Sequence, residues 1–193
     1  KRTMDLAVAS IGLLLLLLPG CLIALCIKLE GLFRPEARGS VLFSQERVGK
    51  EQKQFQLHKF RTMIRTAEDG SGPVLAKKRD PRITRVGAVL RRTGIDELPQ
   101  LWNILKGEMS LVGPRPERPE FVEKFLQEEP AYAIRFRLRP GITGLAQIHG
   151  HYDSSAASKL RYDLVYLANH SPLLDIRILF RTLQVIMTGR KYK

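Results

Sequence analysis

The chain has 193 residues, 44% apolar and 26% charged, enough apolar content for a packed core, so a disordered polymer is excluded. A formal charge of +13 asks for an anionic partner: nucleic acid, acidic lipid headgroups or a phosphorylated substrate. The two cysteines, Cys21 and Cys26, both lie in an apolar run, which leaves no disulfide framework or zinc spacing and fits a reducing compartment.

Residues 6–27, "LAVASIGLLLLLLPGCLIALCI", contain 22 residues without a charge, long enough for a helix to cross a hydrocarbon core. No small-residue cleavage site follows, so a cleaved signal peptide is disfavoured. Pro19-Gly20 sits past the middle and predicts a bend, because proline removes a helical hydrogen bond and clashes with the preceding turn. Cationic residues flank both ends: Lys1 and Arg2 before the run, Lys28, Arg34 and Arg38 after it. A helix that enters, bends and leaves on one face satisfies the positive-inside preference at both ends, whereas a span satisfies it at one. The re-entrant helix-break-helix is therefore the expectation, with an ordinary span and a buried soluble helix as alternatives.

Beyond the turn-rich "EGLFRPEARGS", residues 41–49 read as a strand closing at Gly49, and 53–63 as its hairpin partner, with Phe55, Leu57 and Lys59 on one face. Residues 65–82 read as a charged surface loop, its basic "AKKRDPR" end solvated. Helices are expected over 83–92 and from Asp96 or Glu97 to Lys106, stopped by Gly107. "RPEFVEKFLQEEP" suits a surface helix, and 137–150 reads as loop. Two last helices are expected over 155–168 and 172–188, the second capped by Ser171, started by Pro172 and ended by Gly189. The apolar face of that last helix is broad enough for core packing or for lying on a bilayer. Trp102 and Phe60 read as core; His58, His149 and His170 show no ligand spacing. The fold class is α+β, mainly helical with a small β-hairpin and an N-terminal membrane segment.

The segment "RRTGIDELPQLWNILKGEMSLVGPRPE", residues 91–117, concentrates chemistry. Asp96 could simply cap a helix, with Glu97 favoured by the dipole of its first turn. Yet adjacent carboxylates repel unless something cationic shares them. On a helix they point about 100° apart, so one can hold a divalent cation while the other reaches a substrate. Mg²⁺ needs only one or two carboxylates beside water and phosphate. Arg91 lies upstream, and Arg115 downstream between Pro114 and Pro116; guanidinium forks suit phosphate oxygens. The pattern points to phosphate chemistry at a membrane, with a carboxylate able to attack phosphorus.

"KFRTM", "IDELPQLWNILKGEMSLVGPRPE", "RPGITGLAQIHG" and "YDLVYLANHSPLLDIRIL" resemble, in order and over nearly the whole chain, the bacterial sugar transferase family of monotopic polyprenol-phosphate phosphoglycosyl transferases. The resemblance implies transfer of a sugar-1-phosphate from a UDP-sugar to undecaprenyl phosphate with release of UMP, the first membrane step of glycoconjugate assembly. It implies Asp96 as nucleophile in a ping-pong cycle, Glu97 with Asp96 on Mg²⁺, and Arg91 and Arg115 on phosphates. Lys59 and Arg61 would join the basic wall, and Asp163 matches an acidic position of less defined role. It also implies a re-entrant membrane helix over 1–29 and a catalytic domain over 30–193, with interfacial amphipathic helices, on the cytoplasmic face of the bacterial inner membrane. Direct transfer through a ternary complex is the runner-up chemistry. A homodimer is expected only by analogy. Two departures stand out: Leu18 precedes Pro19 where relatives commonly have serine, and His151 stands where many have arginine, which makes any contact there pH-sensitive. From other classes, a non-catalytic membrane scaffold and a nucleic-acid-binding protein remain; helix-turn-helix, zinc and RNA-platform signatures are missing for the latter.

Overall fold

The structure, a computed structural model, describes residues 1–69, 72, 74, 80–150 and 155–188. Its longest element is α1, Arg2–Phe33. At 1.5 Å per residue it is about 48 Å long. The helix continues through Pro19 and Gly20, so the expected break does not interrupt it. Proline removes one backbone donor, which bends or weakens a helix without having to end it.

Both ends of α1 are tied to the rest of the chain. At the start, the buried Asp5 carboxylate accepts from Ser110 Oγ at 2.8 Å and the Leu111 amide at 3.1 Å. Lys1 Nζ donates to Asp175, the Tyr166 hydroxyl and the Val112 carbonyl. At the far end, the Glu30 carboxylate accepts from the amides of Arg85 and Val86 at 2.7 and 3.0 Å. Between these ties, Leu16, Ile23 and Ile27 pack on Phe60, Leu90 and Ile95. The opposite side is uncovered: Leu14, Leu15, Leu17, Leu18, Leu22 and Leu25 are each more than half exposed. Among the described residues α1 is the one helix long and apolar enough to cross a membrane.

Strands β1 (Leu42–Val48) and β2 (Gln54–Phe60) form the expected antiparallel hairpin, Leu42 opposite Phe60 and Val48 opposite Gln54. Period-two alternation buries Phe55 and Leu57, and so aims Lys59 inward. Helix α2 (Arg85–Thr93) is capped by Thr84 Oγ1, which accepts from the Gly87 amide, and ends at Gly94 with φ +75°. Residues Ile95–Glu97 are then a 3-10 turn, and α3 (Gln100–Lys106) starts later than expected. Asp96 therefore caps no helix: the chain makes i→i+3 bonds here, and Pro99 has no N–H to extend a ladder. Trp102, expected in the core, is 53% exposed, because α3 turns its other side, Leu101 and Ile104, to the core.

The segment 137–150 is not a loop. Strand β3 (Ser110–Val112) pairs in parallel with β4 (Gly141–Thr143), Ser110 opposite Gly141, and the short α5 (Leu145–His149) follows. The backbones meet so closely that a Cβ on Gly141 would lie 2.1 Å from the Gly113 nitrogen, and one on Gly113 2.3 Å from the Arg139 carbonyl oxygen. The glycines of "VGPRP" and "RPGITG" are thus two halves of one crossing. Helix α4 (Pro119–Glu128), a 3-10 stretch Pro130–Arg137, α6 (Ala156–Asn169) and α7 (Pro172–Met187) complete the chain. Ser171 caps α7 as expected, while Gly189 lies outside the described residues. Helix α7 buries Asp175 and Ile178 but leaves Leu173, Ile176, Phe180, Leu183 and Met187 more than half exposed, so core packing accounts for one stripe only.

Asp5→Ala strands two buried donors, at about 1–3 kcal/mol each. The expected outcome is a drop of about 5–15 °C in the thermal midpoint of detergent-solubilised protein. A shift under about 1 °C would mean that the tie carries no stability.

Candidate active site

Four local structures converge on one cleft. The inward face of β2 supplies Lys59, and the 3-10 turn after Gly94 supplies Asp96 and Glu97. The first turn of α3 adds Gln100, and the proline-bounded turn after β3 adds Arg115. Lys59 Nζ lies 3.2 Å from Glu97 Oε1, and Arg115 Nη2 lies 3.6 Å from the same oxygen. Arg47, Leu57, Lys59, Gln100, Arg115, Pro116 and Gly141 line a shallow cleft beside them. Burial pushes the Lys59 ammonium below the ordinary lysine range; Glu97 and Asp96 oppose the shift, while Arg115 and Arg47 reinforce it.

The Ile95–Glu97 turn rests on apolar side chains. Ile95, one residue before Asp96, packs with Phe60 and Leu90 against the middle of α1, near Leu16 and Ile23. Asp96 itself is buried to 7% exposure. Gly20 lies here too: a Cβ on it would be 3.8 Å from the Phe60 ring.

The structure thus brings Lys59, Asp96, Glu97 and Arg115 together, as the sequence leads one to expect. Three other expected residues do not line the cleft. Arg61 Nη2 donates to Ser40 Oγ at 2.8 Å, its guanidinium lying over Gly39. Arg91 sits on the last turn of α2, with Nη1 enclosed and no hydrogen-bond partner among the described residues. Asp163 of α6 is buried and paired with Arg135 Nε at 2.8 Å, behind the Arg115 turn. His151 lies outside the described residues.

The sequence reading missed Arg47, Gln100 and Arg135. Arg47 stands opposite the inward-facing Phe55 in the hairpin, and its Nη1 donates to the Pro116 carbonyl at 3.3 Å. Its signal was a cation at an inward strand position. Arg135 stands within the aromatic run "YAIRFR", where a buried cation needs a partner.

Asp96 and Glu97 offer the hard oxygen donors that suit Mg²⁺. Among the described residues no group of three or more His, Cys, Asp or Glu side chains converges. Glu97 is also engaged by two cations. The pair fits an ion that takes its other ligands from water and phosphate, not an all-protein cage.

Comparison with known proteins accords with this geometry. The chain is 43% identical to the UDP-N-acetylgalactosamine-undecaprenyl-phosphate N-acetylgalactosaminephosphotransferase of Aeromonas hydrophila, over 98% of this chain and 44% of that protein. It is 43% identical to the exopolysaccharide production protein PSS of Rhizobium leguminosarum bv. phaseoli, over 99% of this chain and 96% of that one. It is 39% identical to the UDP-glucose:undecaprenyl-phosphate glucose-1-phosphate transferase of Escherichia coli K12, over 94% of this chain and 39% of that protein. The chain therefore spans less than half of the Aeromonas and Escherichia proteins and nearly all of the Rhizobium one. With the family described as bacterial sugar transferase matching residues 1–189, the chain belongs to that family.

Proposed function

We propose that this chain transfers a sugar-1-phosphate from a UDP-sugar to undecaprenyl phosphate, releasing UMP. The observation that carries the proposal is the meeting of Glu97 with Lys59 and Arg115 beside a cleft, next to Asp96 on a turn whose Ile95 packs with Leu16 and Ile23 of α1. The names of the relatives above supply the substrate class.

In the first step a carboxylate oxygen of Asp96 attacks the sugar-bearing phosphorus. The bridging P–O bond breaks, and its electron pair leaves with UMP. In the second step an oxygen of the lipid phosphate attacks the same phosphorus and displaces Asp96, giving the sugar on a lipid diphosphate. A carboxylate meeting a diphosphate is repelled, and Lys59 and Arg115 offset that repulsion as the charge develops. Arg91, with an enclosed and unbonded guanidinium nitrogen, has the capacity for a further phosphate oxygen. Mg²⁺ held by Asp96 and Glu97 would supply further charge neutralisation at the diphosphate.

The acceptor phosphate cannot leave the bilayer surface, so the cleft has to sit at headgroup depth. We propose that α1 embeds from one side, re-entering through its Pro19 region. The support is that Asp5 and Glu30, near opposite ends of α1, are both tied to the same globular part. A helix crossing to the far side would leave one of these carboxylates without its partners. The exposed leucines of α1, the apolar stripe of α7 and the exposed Trp102 suit contact with acyl chains and the interface. The catalytic part would then lie on the cytoplasmic face of the inner membrane, where the +13 charge favours anionic headgroups.

UMP release, assayed with UDP-glucose, UDP-galactose and UDP-N-acetylgalactosamine plus undecaprenyl phosphate in micelles, tests the reaction. Asp96→Asn should lower it at least about 10³-fold. With acceptor omitted, a β-phosphate-labelled donor should leave label on wild-type protein and none on Asp96→Asn. Turnover without trapped label would instead mean direct transfer. EDTA should stop UMP release and added Mg²⁺ restore it; full activity in EDTA would remove the metal from the scheme.

The shift on Lys59 has a pH signature. Its charge is present at low pH and is lost on the alkaline side, at a pH below the 10.5 of an ordinary lysine. The kcat/KM for donor should therefore decline as pH rises, with an alkaline midpoint lower than 10.5, and Lys59→Arg should move that limb upward. An identical limb in both proteins would detach it from Lys59.

A further inference from the structure

Arg115 owes its place to more than its flanking prolines. Its carbonyl oxygen accepts from Arg135 Nη2 at 2.8 Å. The same guanidinium donates through Nε to Asp163 Oδ2 at 2.8 Å and through Nη1 to the Tyr132 hydroxyl, and it lies over the Tyr132 ring at 4.6 Å. Both charged groups are almost wholly enclosed, with Arg135 at 2% and Asp163 at 4% side-chain exposure. Two residues further along the turn, Glu117 pairs with Lys159 Nζ at 2.9 Å. Lys159 and Asp163 are four apart on α6 and so share one face. That face grips the turn on both sides of Pro116.

We propose that Asp163 and Arg135 are positioning residues: α6 splints the Pro114–Glu117 turn through the Asp163–Arg135–Arg115 carbonyl chain and the Lys159–Glu117 pair, and so aims the Arg115 guanidinium at the cleft. This inference rests on the reaction proposed above and deepens it by giving the acidic position on α6 a role away from substrate.

The physical requirement is rigidity. Arg115 reaches Glu97 at 3.6 Å, and a small displacement of the turn would take its fork out of range of both Glu97 and a phosphate. A buried peptide oxygen held by a charged donor fixes the peptide plane from which the Arg115 side chain departs. The fork of Arg135 meets three partners in one geometry, which a lysine ammonium, a point charge, does not reproduce. Asp163 supplies the counter-charge that lets Arg135 sit enclosed behind a site already crowded with cations. Burial disfavours the ionised Glu117 carboxyl, but Lys159, then Arg135 and Arg115, outweigh this and hold it below the usual carboxylate range.

A double-mutant cycle separates positioning from stability. Arg135→Lys and Asp163→Asn should each lower single-turnover UMP release, as donor kcat/KM, about 10- to 100-fold in otherwise wild-type protein. In an Arg115→Ala background the same changes should cost less than about twofold, because the group they aim is gone. Thermal midpoints, by contrast, should fall alike in both backgrounds. Tyr132→Phe, which removes one acceptor and keeps the ring, gives a milder variant that follows the same rule. Equal fold-losses with and without Arg115 overturn the positioning role while leaving the reaction intact. A wild-type protein that releases no UMP from any of the three UDP-sugars overturns the reaction and this role with it.

Discussion

Two carboxylates on consecutive residues of one tight turn repel each other, and the repulsion grows as water is excluded. Asp96 and Glu97 are in that position, with Asp96 largely enclosed. The site around them answers this constraint. Lys59 reaches them because strand alternation aims it inward, and Arg115 because two prolines and α6 hold its turn. The cations that make the pair tolerable are of the kind that bind phosphate. Under the proposed reaction, electrostatic necessity and substrate recognition would be met by the same side chains.

The second organising fact is the seat of α1. An apolar helix with a charged foot at each end would ordinarily be read as a span between two aqueous phases. Here Asp5 reaches β3, and Glu30 caps the first turn of α2. Helix α2 in turn delivers the chain through Gly94 to Asp96. The position of the Ile95–Glu97 turn is thus set by the helix on which Ile95 rests, through packing and hydrogen bonds.

What could be read from the sequence was local. The Phe55–Leu57–Lys59 alternation, the stop at Gly107 and the Ser171 cap each depend on a few neighbouring residues, and each is found in the structure. What could not be read depends on distant partners. Residues 141–143 become a strand only because 110–112 lie alongside, and three residues are too few for any periodicity. Asp96 looked like a cap because its neighbours suit one; the 3-10 turn arises from i→i+3 bonding next to Pro99. Trp102 looked like core by residue type, and its exposure follows from which side of α3 meets α1 and β3. Within the site, Asp96, Glu97, Lys59 and Arg115 were visible as charges in a telling pattern. Arg47 and Arg135 were not, since their importance lies in which carbonyl oxygens they reach, Pro116 and Arg115, far along the chain.

The tie between Asp5 and β3 bears on any attempt to obtain the catalytic part without its greasy helix. Cutting away α1 would bare Phe60, Leu90 and Ile95, the residue before Asp96, and orphan the Leu111 amide. A water-soluble fragment of this protein would lack part of its own foundation, so solubility is better sought by surrounding the leucines with amphiphile than by deleting them.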